Sequence, residues 1–365
     1  MASFPLSSRR RVDPEPRIRV PAARRCFVGL GFALTLVSAC TPTGDEAAET
    51  PTPMDLPDAP LGTRRIETPP MTVAAGQEQF WCYFGSFDQT VGVHKVTQYP
   101  GSAFLHHLLM KEVPQDSPQQ DGDLVNCLDL PQWWGPAPSM FEAVGIGDPG
   151  GGPDGGPPGP TDPRVWAQLP DGVSFLVHAG DRFVLDSHFI NPSDQDVVAV
   201  TAMDLELVPE DEVEAIAGSY NHNSEPFEIP SGGLWSTSFD CPWEGETTVL
   251  SIGPHMHEYG ASYAVDLIPG NGDPIRRVLD VPTWGGGLQD APQIAWFEPG
   301  ELVVAAGDQF RTTCTWDNTE NHPLAFPTEM CTTFGVAYPL PDNAYCGSDN
   351  TMAGGGGGGG GGPGR

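Results

Sequence analysis

The sequence predicts an all-β protein built from β-sandwiches, and this prediction rests on composition and on the spacing of strand signals. The 365-residue chain contains 45 Gly and 40 Pro, and only 18 % of its residues are charged. Such a chain favours short strands joined by turns over long helices. Its length allows two domains, each with its own core. Strands are predicted at 181–191, at 247–269 with a break near Gly260, at 309–318 and at 329–339.

The chain is strongly acidic. Seven of its 17 basic residues and two of its 48 acidic residues precede Cys40, so the remainder carries a net charge near −36. A surface of this sign repels phosphate backbones and argues against nucleic acid as a partner. Two interpretations of the acidity stay open: it keeps an exported protein soluble, or it attracts cationic substrates or metal ions.

The amino terminus has the pattern of an export signal. A basic leader, "RRRVDPEPRIRVPAARR", precedes the apolar run "CFVGLGFALTLVSA", which is too short to span a membrane. The run ends in "VSAC", which resembles a bacterial lipobox and implies cleavage before Cys40 and acylation of its thiol. We therefore predict a signal peptide at 1–39 and an exported protein, lipid-anchored at the outer membrane or cell surface. An ordinary secretory signal is the alternative.

Three segments have compositions that do not support a packed core. Residues 40–65 are rich in Pro, Thr and acidic residues and are predicted to be a disordered tether. Residues 146–163, "IGDPGGGPDGGPPGPTDP", are predicted to be a flexible insert. The Gly-rich residues 349–365 are predicted to be a disordered tail.

The cysteine count indicates disulfides. Cys26 lies in the leader and Cys40 is the predicted lipidation site, which leaves an even number for the folded part. Six cysteines in an exported chain predict three disulfides, and their spacing alone does not choose among the 15 possible pairings. No CxxC motif occurs in the sequence, which argues against a zinc ribbon or a thioredoxin-type site. The six are Cys82, Cys127, Cys241, Cys314, Cys331 and Cys346.

Four of the nine histidines form two close pairs. On a strand, His255 and His257 project to the same face, with Met256 on the other face. Two neighbouring imidazoles suit one metal ion, and a pair of surface histidines is the alternative. His106 and His107 are adjacent, so both can reach one metal only at a bulge or at a strand end.

Single residues near these pairs carry weaker signals. His188 lies in the apolar run "FVLDSHFI", where a core histidine is the plain interpretation. Asp186 would share its face and could orient its ring. Met330, in "TEMC", by itself indicates core packing. The remaining four histidines are expected in loops or at strand edges: His94, His178, His222 and His322.

In their order along the chain, these pieces resemble the copper type II, ascorbate-dependent monooxygenase family. This family includes peptidylglycine α-hydroxylating monooxygenase and dopamine β-hydroxylase, and the chain resembles a bacterial lipoprotein member of it. A His-His pair is followed by "WAQLPDGVSFLVHAGDRFVLDSHFINP", then by HxH and "EMC". The segment "LPDGVSFLV" is similar to the family's "LPKGVGFRV", and "TTCTWDNTEN" to the Cys-containing strand before its methionine. The resemblance runs from about Gln77 to Cys346.

The resemblance implies two copper ions per chain, with ascorbate as the electron donor and O2 as co-substrate. The implied ligands are His106, His107 and His188 for the first copper, and His255, His257 and Met330 for the second. The first copper would relay an electron. The second set would be catalytic, because its soft thioether favours Cu(I), the form that binds O2. One oxygen atom would then enter a substrate C–H bond.

The resemblance also implies the disulfide pairing and the domain layout. The implied disulfides are Cys82–Cys127, Cys241–Cys346 and Cys314–Cys331. The last of these would hold the adjacent ligand Met330. The implied fold is two tandem jelly-roll β-sandwich domains, each carrying one copper site, at residues 66–210 and 211–348.

The departures from the family concern the substrate. The peptide-amidating enzyme binds its substrate carboxylate with an Arg, an Asn and a Tyr. This chain has Gly253, Thr332 and Phe334 at those positions. Two further disulfides of that enzyme also have no counterpart here. We therefore expect a substrate other than a peptidylglycine, namely a small neutral or cationic organic molecule.

Two other classes of function compete with a monooxygenase. One is a non-catalytic copper-binding or copper-buffering surface lipoprotein, which would keep the ligands without turnover. The other is an adhesive or structural β-sandwich lipoprotein, which the six matched ligands disfavour. The expected partners are a small organic substrate and, through the lipid anchor alone, a membrane. The sequence does not indicate an oligomeric state.

Overall fold

The protein is all-β, as the sequence predicts. The computed structural model describes residues 55–130, 139–143, 163–224, 227–285, 288, 292–326, 328–341, 343–346 and 352–354. Within these ranges the regular elements are 24 strands and two single-turn 3-10 helices, without any α-helix. No helix in the described part of the chain is long and apolar enough to cross a membrane.

The strands are short, as the frequent Gly and Pro residues require. The first twelve are β1 (Thr63–Glu67), β2 (Met71–Val73), β3 (Glu78–Ser86), β4 (Val91–Tyr99), β5 (Leu105–Glu112), β6 (Leu124–Asn126), β7 (Ser139–Ala143), β8 (Arg164–Gln168), β9 (Val173–Val177), β10 (Arg182–Ile190), β11 (Val197–Ala199) and β12 (Ala202–Pro209). The next twelve are β13 (Ala215–Asn223), β14 (Gly233–Pro242), β15 (Thr247–Val249), β16 (Ser251–His255), β17 (Gly260–Ile268), β18 (Arg276–Val281), β19 (Ala295–Trp296), β20 (Val303–Val304), β21 (Gln309–Asn318), β22 (Thr332–Tyr338), β23 (Ala344–Cys346) and β24 (Met352–Gly354). The 3-10 helices are Cys127–Asp129 and Glu210–Glu212.

The strands form four sheets. A five-stranded antiparallel sheet has the order β6-β3-β10-β5-β7, and a four-stranded antiparallel sheet has the order β14-β21-β17-β18. β2 and β11 form a small two-stranded sheet, and the other 13 strands form one extended sheet. In the extended sheet β9 and β13 pair in parallel, so strands from both halves of the chain share it.

Alternating side chains build two hydrophobic cores. Phe183, Leu185 and Phe189 of β10 point into the first core, which consists mostly of residues before 218. Phe310 and Trp316 of β21 point into the second core, which consists of Tyr220 and later residues. Fully burying a large apolar side chain contributes about 1.5–3 kcal/mol, so each core is a substantial source of stability. The jelly-roll arrangement and the domain boundary at residue 210 stay predictions.

The predicted strands agree with the structure except around the HxH motif. β21 matches 309–318, and β10 and β22 lie within the segments predicted at 181–191 and 329–339. The segment 247–269 forms three strands instead of two, with an irregularity at Leu250, whose N–H still donates to Val336 of β22, and an interruption at 256–259. This interruption is the HxH loop, residues 256–259, which joins β16 to β17. His257 is therefore a loop residue, and β17 begins at Gly260.

Three disulfides are formed, and their pairing is the one that the family resemblance implies. Cys82 bonds to Cys127, Cys241 to Cys346, and Cys314 to Cys331, with Cα–Cα distances of 5.2, 6.0 and 6.0 Å. The first lies beside β10, and the other two lie in the second core. Disulfides of this kind typically stabilise a fold by about 2–4 kcal/mol each.

The structure corrects the limits of two segments predicted to be disordered. β1 begins at Thr63, inside the predicted tether 40–65, because the Arg65 guanidinium is anchored by Asp204 at 2.8 Å on the neighbouring strand β12. β24 lies inside the predicted tail 349–365 and pairs with β23, since the backbone of β23 offers an edge for it. The signal peptide, Cys40 and the insert at 146–162 lie outside the described residues.

His222 also departs from its predicted place. It was expected in a loop or at a strand edge, but it lies in β13 and is fully buried, with 0 % exposure. The rings of Tyr220, Trp243 and Phe310 surround it at centroid distances of 5.0 to 6.1 Å. Neither ring nitrogen has a hydrogen-bond partner among the described residues. Burial lowers the pKa of His222 to about 3, so the folded protein keeps it neutral.

This burial predicts a loss of stability in acid. The unfolded chain binds a proton at His222 near pH 6.5, whereas the folded chain does so only near pH 3. Stability should therefore fall as the pH drops below about 6.5, by up to about 1.4 kcal/mol per pH unit for one proton. Urea unfolding of the metal-free protein between pH 7.5 and 4.5 should show a shallower fall for His222→Leu than for the wild type. The control is His178→Gln, at an exposed histidine, and equal slopes for wild type and His222→Leu would contradict the prediction.

Candidate metal centres

A β-bulge brings the first three predicted ligands together. His107 lies directly opposite His188 in the antiparallel pairing of β5 with β10. The next pair along is Leu105 with Phe189, so His106 is an additional residue on β5 and the register shifts there. A bulge re-aims a side chain that a regular strand would send to the other face. This is the irregularity that two adjacent histidines need in order to share one site.

The three imidazoles form what we call the N-terminal histidine cluster: His106, His107 and His188. Their ring centroids lie 4.7 to 5.6 Å apart, and their candidate ligand nitrogens all lie within 4.8 Å of one another. The Nδ1 atoms of His107 and His188 are 3.4 Å apart. The cluster lies on the face of the sheet opposite the first core, because Leu108 and Leu185 of the same strands point into that core. This spacing is suited to one metal ion.

Carboxylates lie behind two of these imidazoles. The Nε2 of His188 is 2.8 Å from Oε1 of Glu78, which can accept its hydrogen bond. The Nε2 of His107 is 3.6 Å from Oδ2 of the buried Asp186, which also pairs with Lys111 at 3.2 Å. A carboxylate behind a histidine fixes its tautomer and ring orientation. With each Nε2 directed at a carboxylate, both Nδ1 atoms face the centre of the cluster.

The partner of Asp186 differs from the sequence prediction. Asp186 was expected to orient His188, two residues away on the same face of β10. Its carboxylate instead lies beside His107, which is its diagonal neighbour across the β10–β5 pairing. The residue beside His188 is Glu78 of β3, opposite Ile190 and therefore diagonal to His188. Glu78 was missed because the register of β3 against β10 cannot be obtained from the local sequence.

His188 is held neutral in this setting. The Phe80 ring stacks on it at a centroid distance of 3.8 Å and an interplanar angle of 11°. Burial first, and then the neighbouring imidazoles of His107 and His106, lower the pKa of His188 to about 2. A neutral imidazole has a free lone pair, which a metal ion requires of a histidine ligand.

The second predicted pair lies at the end of β16. His255 is the last residue of that strand, and His257 follows in the HxH loop, with Met256 buried in the second core between them. The two imidazole centroids are 5.1 Å apart at an interplanar angle of 81°. Both imidazoles therefore lie on the same side of the chain and Met256 on the other.

His255 has a buried ring nitrogen that a metal ion could use. Its Nδ1 is buried and has no hydrogen-bond partner among the described residues, which costs free energy unless another group satisfies it. Burial, then His257, and then His107 and His106 lower the pKa of His255 to about 3. The N-terminal histidine cluster is therefore close enough to act on His255 electrostatically.

The segment before Met330 holds the HxH loop. Nδ1 of His257 lies 3.0 Å from the carbonyl oxygen of Thr328, to which it can donate. The backbone N–H groups of His257 and Tyr259 donate to the carboxylate of Glu329 at 3.1 and 2.7 Å. Trp316 Nε1–H donates to the same carboxylate at 2.8 Å. Burial raises the pKa of Glu329, and these hydrogen bonds oppose that rise.

Met330 lies between two anchored neighbours. Glu329 precedes it, and Cys331 follows it with the disulfide to Cys314. Thr332, the next residue, pairs with His255 in the β16–β22 ladder. The backbone on both sides of Met330 therefore contacts the segment that carries His255 and His257. We name His255, His257 and Met330 the C-terminal ligand set.

The substrate-binding positions of the amidating enzyme have a different structure here. Phe334 lies opposite Gly253 in the ladder. A Cβ atom at Gly253 would lie 2.3 Å from the Phe334 ring, so a larger side chain there requires that ring to move. Thr332 donates through its hydroxyl to Asn223 at 3.2 Å. The strands β16 and β22 contain no Lys or Arg.

The donor types at both sites fit copper. Imidazole nitrogens suit copper in either oxidation state, and a thioether favours Cu(I). The neutral state of His188 and His255 and the unpaired nitrogen of His255 are what a metal site needs. A further group, Cys82, Cys127 and Asp186, does not qualify because both cysteines are used in a disulfide.

Comparisons with known proteins add nothing to this assignment. No family model matches the chain, and no curated protein matches it. Solved structures that match include one of the infectious bursal disease virus Gx strain, at 10 % identity and TM-score 0.20, covering 78 % of this chain and 73 % of that chain. The VP2 subviral particle of the same virus matches at 10 % identity and TM-score 0.19, covering 78 % and 74 %. At such TM-scores these alignments do not establish a shared fold.

The contact between Glu78 and His188 generates a prediction about the N-terminal histidine cluster. Glu78→Ala should weaken Cu(II) binding there by about 10–100-fold, because the imidazole loses the group that orients it. Glu78→Gln retains an acceptor oxygen and should lose less. Calorimetric titration of the metal-free protein with Cu(II) measures both. Glu67→Ala, at a half-exposed acid of β1, is the control, and an affinity as high in Glu78→Ala as in this control would contradict the assignment.

Proposed function

We propose that this chain is a copper-dependent monooxygenase that inserts one oxygen atom of O2 into a C–H bond of a small organic substrate, with an ascorbate-type reductant. The observation that carries the proposal is the bulge on β5, which gathers His106 and His107 against His188. The HxH loop, tied to the segment that contains Met330, supports a second site. Both arrangements use the residues that the sequence resemblance selects.

The two copper sites would have different roles in the reaction. The N-terminal histidine cluster would hold a copper that accepts and passes on an electron, and the C-terminal ligand set would hold the copper that meets O2. Bound copper supplies one-electron and O2 chemistry that protein side chains do not offer.

The protein's own residues prepare these sites. Glu78 orients the imidazole of His188 by a hydrogen bond to its outer nitrogen, and the Asp186 carboxylate lies 3.6 Å from the outer nitrogen of His107. Burial keeps His188 and His255 unprotonated at neutral pH, so neither must lose a proton before it binds a metal. Phe334 fills the space beside Gly253, at the position where the amidating enzyme has a carboxylate-binding Arg, so the proposed substrate is uncharged or cationic and not a carboxylate.

The proposed location is the cell envelope. Cys40 would carry the lipid, and the segment up to β1 would connect the lipid to the folded part. Cys40 and the residues up to 54 lie outside the described part of the chain, so the lipobox-like "VSAC" supports this element of the proposal.

A non-catalytic copper-buffering lipoprotein is the second candidate. The observation in its favour is that Gly253, Thr332 and Phe334 replace the substrate-binding residues of the amidating enzyme. A buffering protein and a monooxygenase would both bind two copper ions, so copper content does not distinguish the two functions. Substrate-dependent consumption of O2 distinguishes them.

The direct test is copper content together with oxygen uptake. Copper-reconstituted protein should contain two copper ions per chain and consume O2 with ascorbate when a suitable substrate is present. Mass spectrometry of a mixture of small amines, phenols and amides should then find a product heavier by one oxygen atom. One copper or none per chain rejects the metal assignment. Two coppers without substrate-dependent O2 uptake favour the buffering protein.

Met330 provides the sharpest mutational prediction. Met330→Ala should abolish hydroxylation and weaken Cu(I) binding at the C-terminal set, while the N-terminal histidine cluster keeps its copper. Met330→His should retain a metal but lose activity, because a third imidazole lacks the softness of the thioether. Copper content, melting temperature and ascorbate-dependent turnover are measured on the same samples.

The matched control is Met256→Leu. Met256 is buried in the second core on the other side of the same motif, so a volume-conserving change there tests packing alone. If Met330 only packs, Met330→Ala costs stability, by up to about 2–5 kcal/mol, and retains full turnover in the cold. That result would remove Met330 from the ligand set.

A further inference from the structure

Two backbone N–H groups of the HxH loop are bonded by one acidic side chain, while the loop carbonyls of His257 and Tyr259 accept from Trp284 and from the Asp317 backbone. Residues 256–259 lie between β16 and β17, so their N–H groups are outside the sheet ladder. Two of these groups, from His257 and Tyr259, donate to the carboxylate of Glu329, which has 0 % exposure. The third donor, Trp316, is also fully buried and anchors the carboxylate to β21. A carboxylate with three donors in place is strongly constrained in position.

The residue next to Glu329 is the predicted ligand Met330. Thr328 accepts from the His257 ring, and Glu329 accepts from the His257 backbone. On the other side of Met330, Cys331 is held by its disulfide and Thr332 by its pairing with His255. The segment 328–332 therefore contacts His257 through its first two residues and His255 through its last, and Met330 lies between these contacts.

We propose that Glu329 is a positioning residue that joins His257 and Met330 into one preformed metal-binding unit. It touches neither the ion nor the substrate, and it acts through the loop that it holds. The inference rests on the proposed copper site and adds a residue that neither the motif order nor the ligand types identify. Ligands held in place before the ion arrives do not have to be ordered by it, which raises affinity.

No Lys or Arg of the described residues forms an ion pair with Glu329; its partners are two backbone N–H groups and an indole N–H. The hold of Glu329 on the loop therefore rests on these three hydrogen bonds.

The test is Cu(I) affinity in Glu329→Gln. The full chain is used with His107→Ala as the common background, so that the C-terminal set dominates the titration. Metal-free protein competes with the Cu(I) chelator bicinchoninate, and the apo melting temperature is recorded in parallel. Glu329→Gln should lower Cu(I) affinity by about tenfold or more, because the amide loses the charge and directs an N–H at a backbone donor.

The matched control is Glu320→Gln. Glu320 accepts from the Tyr259 hydroxyl at 3.0 Å, so it contacts the same loop through a side chain and does not hold the His257 backbone. Its Cu(I) affinity should equal that of the background protein. Equal affinity in Glu329→Gln would overturn the positioning role. A background protein that binds no Cu(I) would overturn the proposed copper site itself.

Amide hydrogen exchange tests the same inference on the wild-type protein, so it does not depend on whether a Glu329 variant folds. In the metal-free wild type, the amide hydrogens of His257 and Tyr259 should exchange slowly with solvent, because both are bonded to a buried carboxylate. Free exchange of these two amides, with β16 and β17 protected, would show that Glu329 does not hold the loop before metal binding. That result would overturn the inference.

Discussion

The register of β5 against β10 is the constraint on which the N-terminal histidine cluster depends. Leu108 and Leu185 on one face are buried in the first core, and this burial fixes which residues of the two strands face the other way. A slip by one residue would turn His188 into the core and expose Phe189 in its place. The bulge then adds His106 to the face that already carries His107 and His188. The site is therefore a consequence of core packing on the opposite side of the sheet.

The sequence predicts the parts of this arrangement that repeat locally. The alternation of apolar and polar residues predicts β21 with correct ends. The histidine pairs, His188 and Met330 are the predicted ligands, and the structure brings His106, His107 and His188 together. The sequence did not predict Glu78 or the true partner of Asp186, because both depend on which residues face each other across strands distant in sequence. It also placed His222 outside the core, since a polar residue near a strand end carries no local sign of an aromatic enclosure. Glu329 had a usable signal: a lone acid directly before the apolar run "MCTTFGVAY".

Some of the chain's many acidic side chains lie directly beside the candidate metal ligands. A net charge of −31 is consistent with acidity that keeps an exported protein soluble and with acidity that attracts cations, and the composition alone does not distinguish these two interpretations. Three of the carboxylates stand directly behind histidines or their backbone: Glu78 at His188, Asp186 at His107 and Glu329 at His257. Asp186 and Glu329 are buried; Asp186 pairs with Lys111 at 3.2 Å, and Glu329 accepts three hydrogen bonds. Their places beside the histidines are in keeping with the second interpretation for this part of the acidity.

The pair Gly253 and Phe334 bears on the substrate in a related way. Replacement of an Arg by Gly would leave a gap, but here the Phe334 ring occupies the space that a side chain at residue 253 would need. The two residues are therefore coupled, and restoring Arg alone at 253 would displace the ring instead of recreating a carboxylate-binding site. Phe334 is itself buried, with 4 % exposure, so the ring serves to fill the ladder next to the Thr332–His255 pair, and little of it is left to contact a ligand.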